Sequence, residues 1–411
     1  MNNTHYKLED VFKQTGFPEY TYVEREEYDA IFKNSLLDGG SLVYLYGDSK
    51  SGKTSMWKKH ICHNDYIEIK ITKKMTITYF YEELMSKVEP FVETNYETAE
   101  GTESSVNMNG EGGFKAVFKA SAGAENKDST IKTIKYERIA NPGLTLTTVT
   151  DAVSKIKKIV ILEDFQVAAD EFVKDIAHVL KAFADNTIKV IIVGIGNRVP
   201  TLVREREDIS GRLTTINLSH FKKEELKSII LLGEEKLNIR FSDSIVDFLI
   251  NESFERAYIL QGLCRYLCII QEIEITCDYL HEIHNMDDAK KACIFLASSV
   301  QGLYESTARN IAEAATKKNP HDPYRWILTI LKYDISIGNE GVPASTIIAK
   351  IIEHVPNFPP SSIYPCLNNI PKKQTTAVFR YKDTKLYVDD RLFLFYLKWG
   401  EGLTDIFKTL P

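Results

Sequence analysis

The chain has 411 residues, a formal net charge of −6, 44% hydrophobic and 26% charged residues. That length accommodates two or three domains, and the composition is ordinary for a soluble globular protein. The acidic balance argues against coating of nucleic acid through bulk charge, although a local basic patch stays open. No apolar run is long enough to span a bilayer, and Met1-Asn2-Asn3-Thr4-His5 has no signal-peptide pattern, so a cytoplasmic location is the expectation.

Residues 1–35 read as a lead-in. They contain Tyr20-Thr21-Tyr22-Val23-Glu24-Arg25-Glu26 and a short helical stretch from Glu27 to Leu37, which Asp38-Gly39-Gly40 stops. Ser41 to Tyr46 is a buried-strand candidate, and Met56-Trp57-Lys58-Lys59-His60-Ile61 continues as a helix. Between them lies Gly47-Asp48-Ser49-Lys50-Ser51-Gly52-Lys53-Thr54-Ser55, the P-loop pattern Gly-x-x-x-x-Gly-Lys-Thr. Gly47 lets the chain turn off the strand, and Gly52 keeps side-chain bulk away from phosphate oxygens. Backbone amides and the helix N-terminus offer partial positive charge to an anion. Lys53 is expected to reach the β- and γ-phosphates of ATP and the Thr54 hydroxyl to ligate Mg²⁺, with Ser55 as the substitute.

Asp65 to Ile71 alternates apolar and polar residues, as a strand covered on one face does, and residues 76–94 read as a helix. Residues 95–140 read as an insertion. Gly101 to Gly113 has loop composition, while Phe114–Ala120 and Thr130–Tyr136 alternate like the strands of a hairpin. A helix over 142–157 leads to Lys158-Ile159-Val160-Ile161-Leu162-Glu163-Asp164-Phe165. Four apolar residues followed by two acids form a Walker B pattern, a strand buried on both faces with carboxylates where α/β sheets place ligands. One acid is needed to hold Mg²⁺ and one to polarise the attacking water. A helix over 169–185 precedes a third buried strand, Lys189 to Val193, whose polar tip is Asn197 or Arg198. Ser210-Gly211-Arg212-Leu213 introduces a strand from Thr214 to Leu218, and a helix starts after it with Ser219 or His220 near the cap.

Residues 222–300 read as all-helical, with Cys264 and Cys268 on one helix face as buried thiols rather than metal ligands. From 301 a third unit follows. Helices over Tyr324–Tyr333, Ala344–His354 and Ser361–Asn369 precede strands Ala377–Tyr381 and Lys385–Val388, the order of a winged helix. Base-reading residues on its third helix are few: Asn368 and Asn369, with Lys372 and Lys373 beyond.

Tyr22-Val23-x-Arg25-Glu26 ahead of a P-loop, together with the acid pair, resembles AAA+/STAND ATPases, including their origin-recognition-like and archaeal ATPase branches. The resemblance extends over most of the chain; its specific marks are the P-loop and the acids. It implies a P-loop NTPase fold, an α/β parallel sheet flanked by helices over 36–221, followed by a helical lid over 222–300 and a winged helix over 301–411. It places Tyr22, Val23 and Arg25 at the base and Asn197 or Arg198 at the γ-phosphate. Arg212, with Arg204 and Arg206 as runners-up, would reach a neighbouring subunit's nucleotide, and Arg256 would couple the lid to it. The family's acids run Asp then Glu; here the order is Glu163 then Asp164, so by position Glu163 takes the metal and Asp164 the water. The lid helix lacks the family's glycine and proline before the arginine. Asp390-Arg391-Leu392-Phe393 resembles the C-terminal segment of archaeal-type ATPases. The implied function is a slow ATP-hydrolysing switch that assembles with itself or a separate effector, with phage defence as one setting. The alternative is a DNA-dependent ATPase of the initiator or transposition-helper kind. A GTPase would need Asn-Lys-x-Asp, and Asn126-Lys127-Asp128 lacks that spacing.

Overall fold

A computed structural model of the chain describes residues 5–88, 91–99, 131–138, 144–196, 199–218, 220–314, 322–333 and 341–407. Five strands form a parallel sheet: β1 (Leu42–Tyr46), β2 (Tyr66–Lys70), β5 (Ile159–Glu163), β6 (Val190–Gly194) and β7 (Leu213–Asn217), in the order β2-β5-β6-β1-β7. Strands β3 (Phe91–Ala99) and β4 (Ile131–Arg138) pair with each other antiparallel, outside that sheet.

The central strands are apolar at consecutive positions because both faces are covered. Leu42, Tyr44, Val160, Leu162, Val190 and Ile192 face one way, onto helices Ile77–Val88, Leu146–Ile156 and Asp170–Asp185. Val43, Leu45, Ile161, Ile191 and Val193 face the other, onto Phe32 of helix Glu26–Ser35 and Met56 and Trp57 of helix Lys53–His60. The period-2 alternation of a strand thus splits one hydrophobic run between two cores. At Gly40, which has φ +77°, a Cβ would lie 2.1 Å from the Ala184 carbonyl oxygen, so only glycine lets the chain enter β1 this close to its covering helix.

Two sequence expectations are revised. The expected helix 76–94 ends at Val88, and β3 begins at Phe91; Pro90 has no amide hydrogen to donate to a continuing helix. Strand β4 pairs with Phe91–Ala99, from Phe91↔Arg138 to Ala99↔Ile131, a partner not expected from the sequence; the other expected hairpin strand, 114–120, lies outside the described residues.

Helices Lys223–Leu237, Asp243–Glu252, Ala257–Ile270 and Met286–Ser299 follow the sheet. A short parallel pair, β8 (Ile239–Phe241) with β9 (His281–Ile283), interrupts the expected all-helical run. Helices Gln301–Ala312, Pro323–Tyr333, Ala344–His354 and Ile363–Lys373 come next. An antiparallel sheet of β10 (Val342–Pro343), β12 (Lys385–Val388) and β11 (Phe379–Lys382) lies beside them, in the order β10-β12-β11, and helix Arg391–Trp399 and a 3₁₀ turn, Glu401–Ile406, follow. Asp383 and Thr384, at φ 52° and 59°, make the tight β11–β12 turn. One hydrophobic core runs through all of this region, from Leu226 to Ile406, and takes in Leu8, Val11 and Phe12 from near the N-terminus. Cys264 and Cys268 are buried in it, which raises their thiol pKa values. Among the described residues, no helix is long and apolar enough to cross a membrane.

Candidate functional site

Parallel strands deliver their C-terminal ends to one edge of the sheet. Register places Tyr46 level with Gly194 on β6 and with Asn217 on β7, and Leu162 beside Ile192. The loop 47–52 therefore leaves β1 at the edge where β5 presents Glu163. The loop turns through Gly47 and Lys50, the latter at φ 61°, and enters helix Lys53–His60 at Gly52, its N-cap at φ +90°. A Cβ at Gly52 would meet only the Phe221 ring, at 3.5 Å, so backbone conformation rather than space demands glycine there.

Lys53 is buried, and its ammonium group donates to the carbonyl oxygens of Gly47 (3.2 Å) and Asp48 (2.6 Å) and to Ser51 Oγ (3.3 Å). Burial pulls its pKa down to about 8, against the opposing pull of Asp48 and Glu163. A cation held at the mouth of a glycine-bounded loop, with a helix N-terminus beside it, is a receptor for an anion.

The Thr54 hydroxyl donates to Glu163 Oε1 at 3.1 Å, and the buried Trp57 indole donates to the same oxygen at 2.7 Å. Burial raises the Glu163 pKa, while these two donors act the other way. Asp164 follows in the left-handed conformation, φ 59°, and is exposed. Its carboxylate accepts from Gln166 Nε2 at 3.2 Å, and Gln166 Oε1 accepts the Ile195 amide at 3.1 Å, so one glutamine bridges the tips of β5 and β6. The Asp164 charge still bears on Lys53. Among the described residues, no three His, Cys, Asp or Glu side chains could hold a metal by themselves. Thr54 and Glu163 offer two hard oxygens, the small protein share that Mg²⁺ takes when phosphates and water supply the rest. The residues present fit that ion.

Beside the loop, Tyr22, Val23, Arg25, Ser51, Gly52 and Phe221 border a pocket, which Ser55 also lines. The Tyr22 hydroxyl donates to Asp29 at 3.0 Å; burial and that carboxylate raise its pKa. Asp29 also accepts the Arg25 amide at 2.7 Å and meets His60, which ties the lead-in to the P-loop helix. The Arg25 guanidinium is buried, 4.4 Å from the Phe221 ring centre and 4.7 Å from that of Tyr28.

Arg256, 1% exposed, reaches the carboxylate of Asp48 in the loop itself. Arg391, 5% exposed, approaches the same carboxylate at 3.5 Å. Next to them, the Ser49 amide donates to the Asp389 carbonyl oxygen at 3.1 Å, and the Lys50 ammonium lies 4.4 Å from the Tyr258 ring centre. Arg212 sits at the other end of β7, at the opposite edge of the sheet, paired with Asp185 at 2.9 Å. Arg204 pairs with Glu205 and Arg206 with Asp208. Asn197, Arg198 and Ser219 lie outside the described residues. The next helix starts at Lys223 with Lys222 as N-cap; His220, two residues before that cap, contacts Glu255 at 2.6 Å.

Sequence reasoning passed over Trp57, Gln166 and the role of Arg391. Trp57 carried a readable signal: an indole N–H on a buried helix face must find an acceptor. Gln166 and Arg391 carried none.

A parallel sheet covered by helices on both faces, with this loop at its carboxyl edge, is the P-loop NTPase fold. No family model matches the chain, and no curated protein matches it in sequence. Among solved structures it is similar to the Walker-type ATPase of Pyrococcus abyssi, with 15% identity, a TM-score of 0.53, and coverage of 94% of this chain and 99% of that one. Cdc6p from Pyrobaculum aerophilum aligns at 12% identity and a TM-score of 0.43, over 94% and 96% of the two chains. The ORC1 protein of Aeropyrum pernix, in complex with DNA, aligns at 11% identity and 0.40, over 98% and 99%. At such identities the first likeness is one of fold, and the other two add nothing to it.

Proposed function

We propose that the chain is an ATP-binding and ATP-hydrolysing molecular switch of the AAA+/STAND type, acting with further copies of itself or with a separate effector protein. The observation that carries this reading is the 3.1 Å hydrogen bond between Thr54 and Glu163, which joins the two halves of a metal–phosphate site from distant parts of the sequence. In this reading Lys53 and the loop amides take the phosphates, Thr54 and Glu163 hold Mg²⁺, and Asp164 polarises the attacking water. The base lies against Tyr22, Val23 and Arg25. Turnover is slow, because the short Asp164 side chain is exposed and engaged with Gln166. Asn197 meets the γ-phosphate, and Arg212 serves a neighbouring subunit, which its distance from the chain's own loop permits.

The proposed organisation is a lead-in over 1–35, a core over 36–221 with an insertion over 95–140, a lid over 222–300 and a winged helix over 301–411. The antiparallel β10-β12-β11 sheet beside its helices supports the last unit. A cytoplasmic setting is proposed from the absence of a spanning run and of a signal-peptide pattern in the sequence, and an antiphage role from the resemblance alone. Calorimetry with ATP and Mg²⁺ tests the core of the reading; absence of heat with every nucleoside triphosphate would sink it. Molecular mass in ADP and in a non-hydrolysable ATP analogue tests assembly, and a monomer in both removes subunit sharing.

A DNA-dependent ATPase of the initiator or transposition-helper kind is the second reading. Asn368, Lys372 and Lys373 are exposed on helix Ile363–Lys373 and could meet a duplex. It requires salt-sensitive stimulation of hydrolysis by duplex DNA, and equal rates with and without DNA remove it.

A further inference from the structure

We propose that Arg391 is a ligand of the nucleotide's terminal phosphate, and that Asp48 holds Arg391 and Arg256 in its absence as an internal stand-in for that phosphate. This rests on the nucleotide reading above and adds a residue from the far end of the chain to the site.

The first observation is a pair of broken local rules. Arg256 is the N-cap of helix Ala257–Ile270, and Arg391 is the first residue of helix Arg391–Trp399. A helix N-terminus carries partial positive charge and favours an acid or a neutral cap, so a buried arginine there is placed against the macrodipole. Here it happens twice, and both side chains converge on one carboxylate. Two buried guanidiniums that converge on one carboxylate describe a place for an anion.

The second observation is the charge left over. Arg256 is 1% exposed, and among the described residues its Nε has no hydrogen-bond partner. Burial, and then the neighbouring Arg391, push its pKa down to about 10. The other carboxylate at hand is Glu255, which meets Arg391 at 3.4 Å and is shared with His220. Arg256 also donates to the Glu255 carbonyl oxygen at 3.1 Å, and the single Asp48 carboxylate is shared by both buried guanidiniums. A phosphate, with more oxygens and more charge, satisfies such a fork better than a carboxylate does.

The third is the identity of the stand-in. Asp48 belongs to the loop that would bind the anion, so its carboxylate and an incoming phosphate draw on the same two cations. Arg391 is also firmly placed. The Asp390 carboxylate caps its helix through the Leu392 amide at 3.1 Å and accepts the Tyr304 hydroxyl at 2.6 Å, while Asp389 bonds to Ser49. An incoming phosphate thus competes with Asp48 for groups that the C-terminal unit already presents.

The test is calorimetry on the full chain with ADP and with the β,γ-imido analogue of ATP, both with Mg²⁺. Arg391→Gln is expected to lower triphosphate affinity about tenfold, the worth of one charge-assisted hydrogen bond, and to leave ADP affinity within about twofold. Asp48→Asn is expected to raise triphosphate affinity by about tenfold, because the internal competitor is gone. In the Asp48→Asn chain, Arg391→Gln must again weaken the triphosphate. No loss in that background, or equal loss for ADP and triphosphate, makes Arg391 merely the partner of Asp48 and overturns the proposal. Arg391→Lys retains the charge without the fork and is expected to fall between; it gives the same reading should the glutamine variant fail to fold. An unaltered chain that binds neither nucleotide overturns the nucleotide reading itself.

Discussion

The P-loop is gripped from two sides, and the grips differ in kind. On the β5 side, Thr54 and Trp57 are neutral donors that share one oxygen of Glu163. On the other side, Asp48 is met by two buried arginines, one at the start of helix Ala257–Ile270 and one from helix Arg391–Trp399. The first grip lies within the sheet and its own helix, so it is made as soon as the core packs. The second spans three parts of the chain and is built of desolvated charge, whose balance a ligand can tip. A buried ion pair contributes little net stability when intact, yet removal of one partner costs about 3–5 kcal/mol. The Glu163 side is thus held by neutral donors within the core, and the Asp48 side by buried charge from distant segments.

The largest expected effect tests what the grips have in common. Lys53→Ala is expected to weaken ATP binding by about 100-fold, the scale for loss of a preorganised charged donor, with an unchanged far-ultraviolet dichroism spectrum. Retained affinity in calorimetry would mean that the loop is not the phosphate receptor. Next, Glu163→Ala leaves the buried Trp57 N–H without its acceptor and is expected to cost about 1–3 kcal/mol in urea unfolding. Glu163→Gln keeps an acceptor oxygen, so stability should stay near the parent while Mg²⁺-dependent nucleotide binding drops. If both substitutions melt alike, the neutral donors are not what holds the Glu163 side.

A pH effect follows. The folded-state pKa of Lys53, about 8, lies below its ordinary 10.5. Between those values the unfolded chain holds a proton that the folded one lacks, so this lysine's contribution to stability rises with pH across that window. Phosphate stabilises the ammonium form, so nucleotide binding near pH 9 should take up a proton. Calorimetry in two buffers of different ionisation heat measures the uptake, and Lys53→Met should abolish it. The smallest effect is that of Arg212→Ala. At the far edge of the sheet it is expected to leave nucleotide affinity within about twofold; a larger change would tie that edge to the chain's own site.

The legible parts of the molecule were those whose physics is local. Gly47, Gly52, Lys53 and Thr54 announce a phosphate loop through the conformations and groups that anion binding requires within a few residues. The run from Ile159 to Glu163 announces a doubly covered strand that ends in an acid. The pairing of β4 with 91–99 was not legible, because alternation reports a covered face and is silent about the partner strand. Arg256 was expected to couple a lid to nucleotide, but its contact with Asp48 was not legible, since a long flexible side chain can satisfy many carboxylates.

By itself the amino-acid order determined the strands of the parallel sheet, the glycine-bounded loop and the acid that faces it, because backbone conformation and hydrophobic period act between near neighbours. Only the tertiary structure decided which charges meet. It set Trp57 on Glu163, Gln166 across two strand tips, and Arg391 on Asp48. Those pairings depend on where packing brings distant segments together, and burial then makes each of them too costly to leave unmatched.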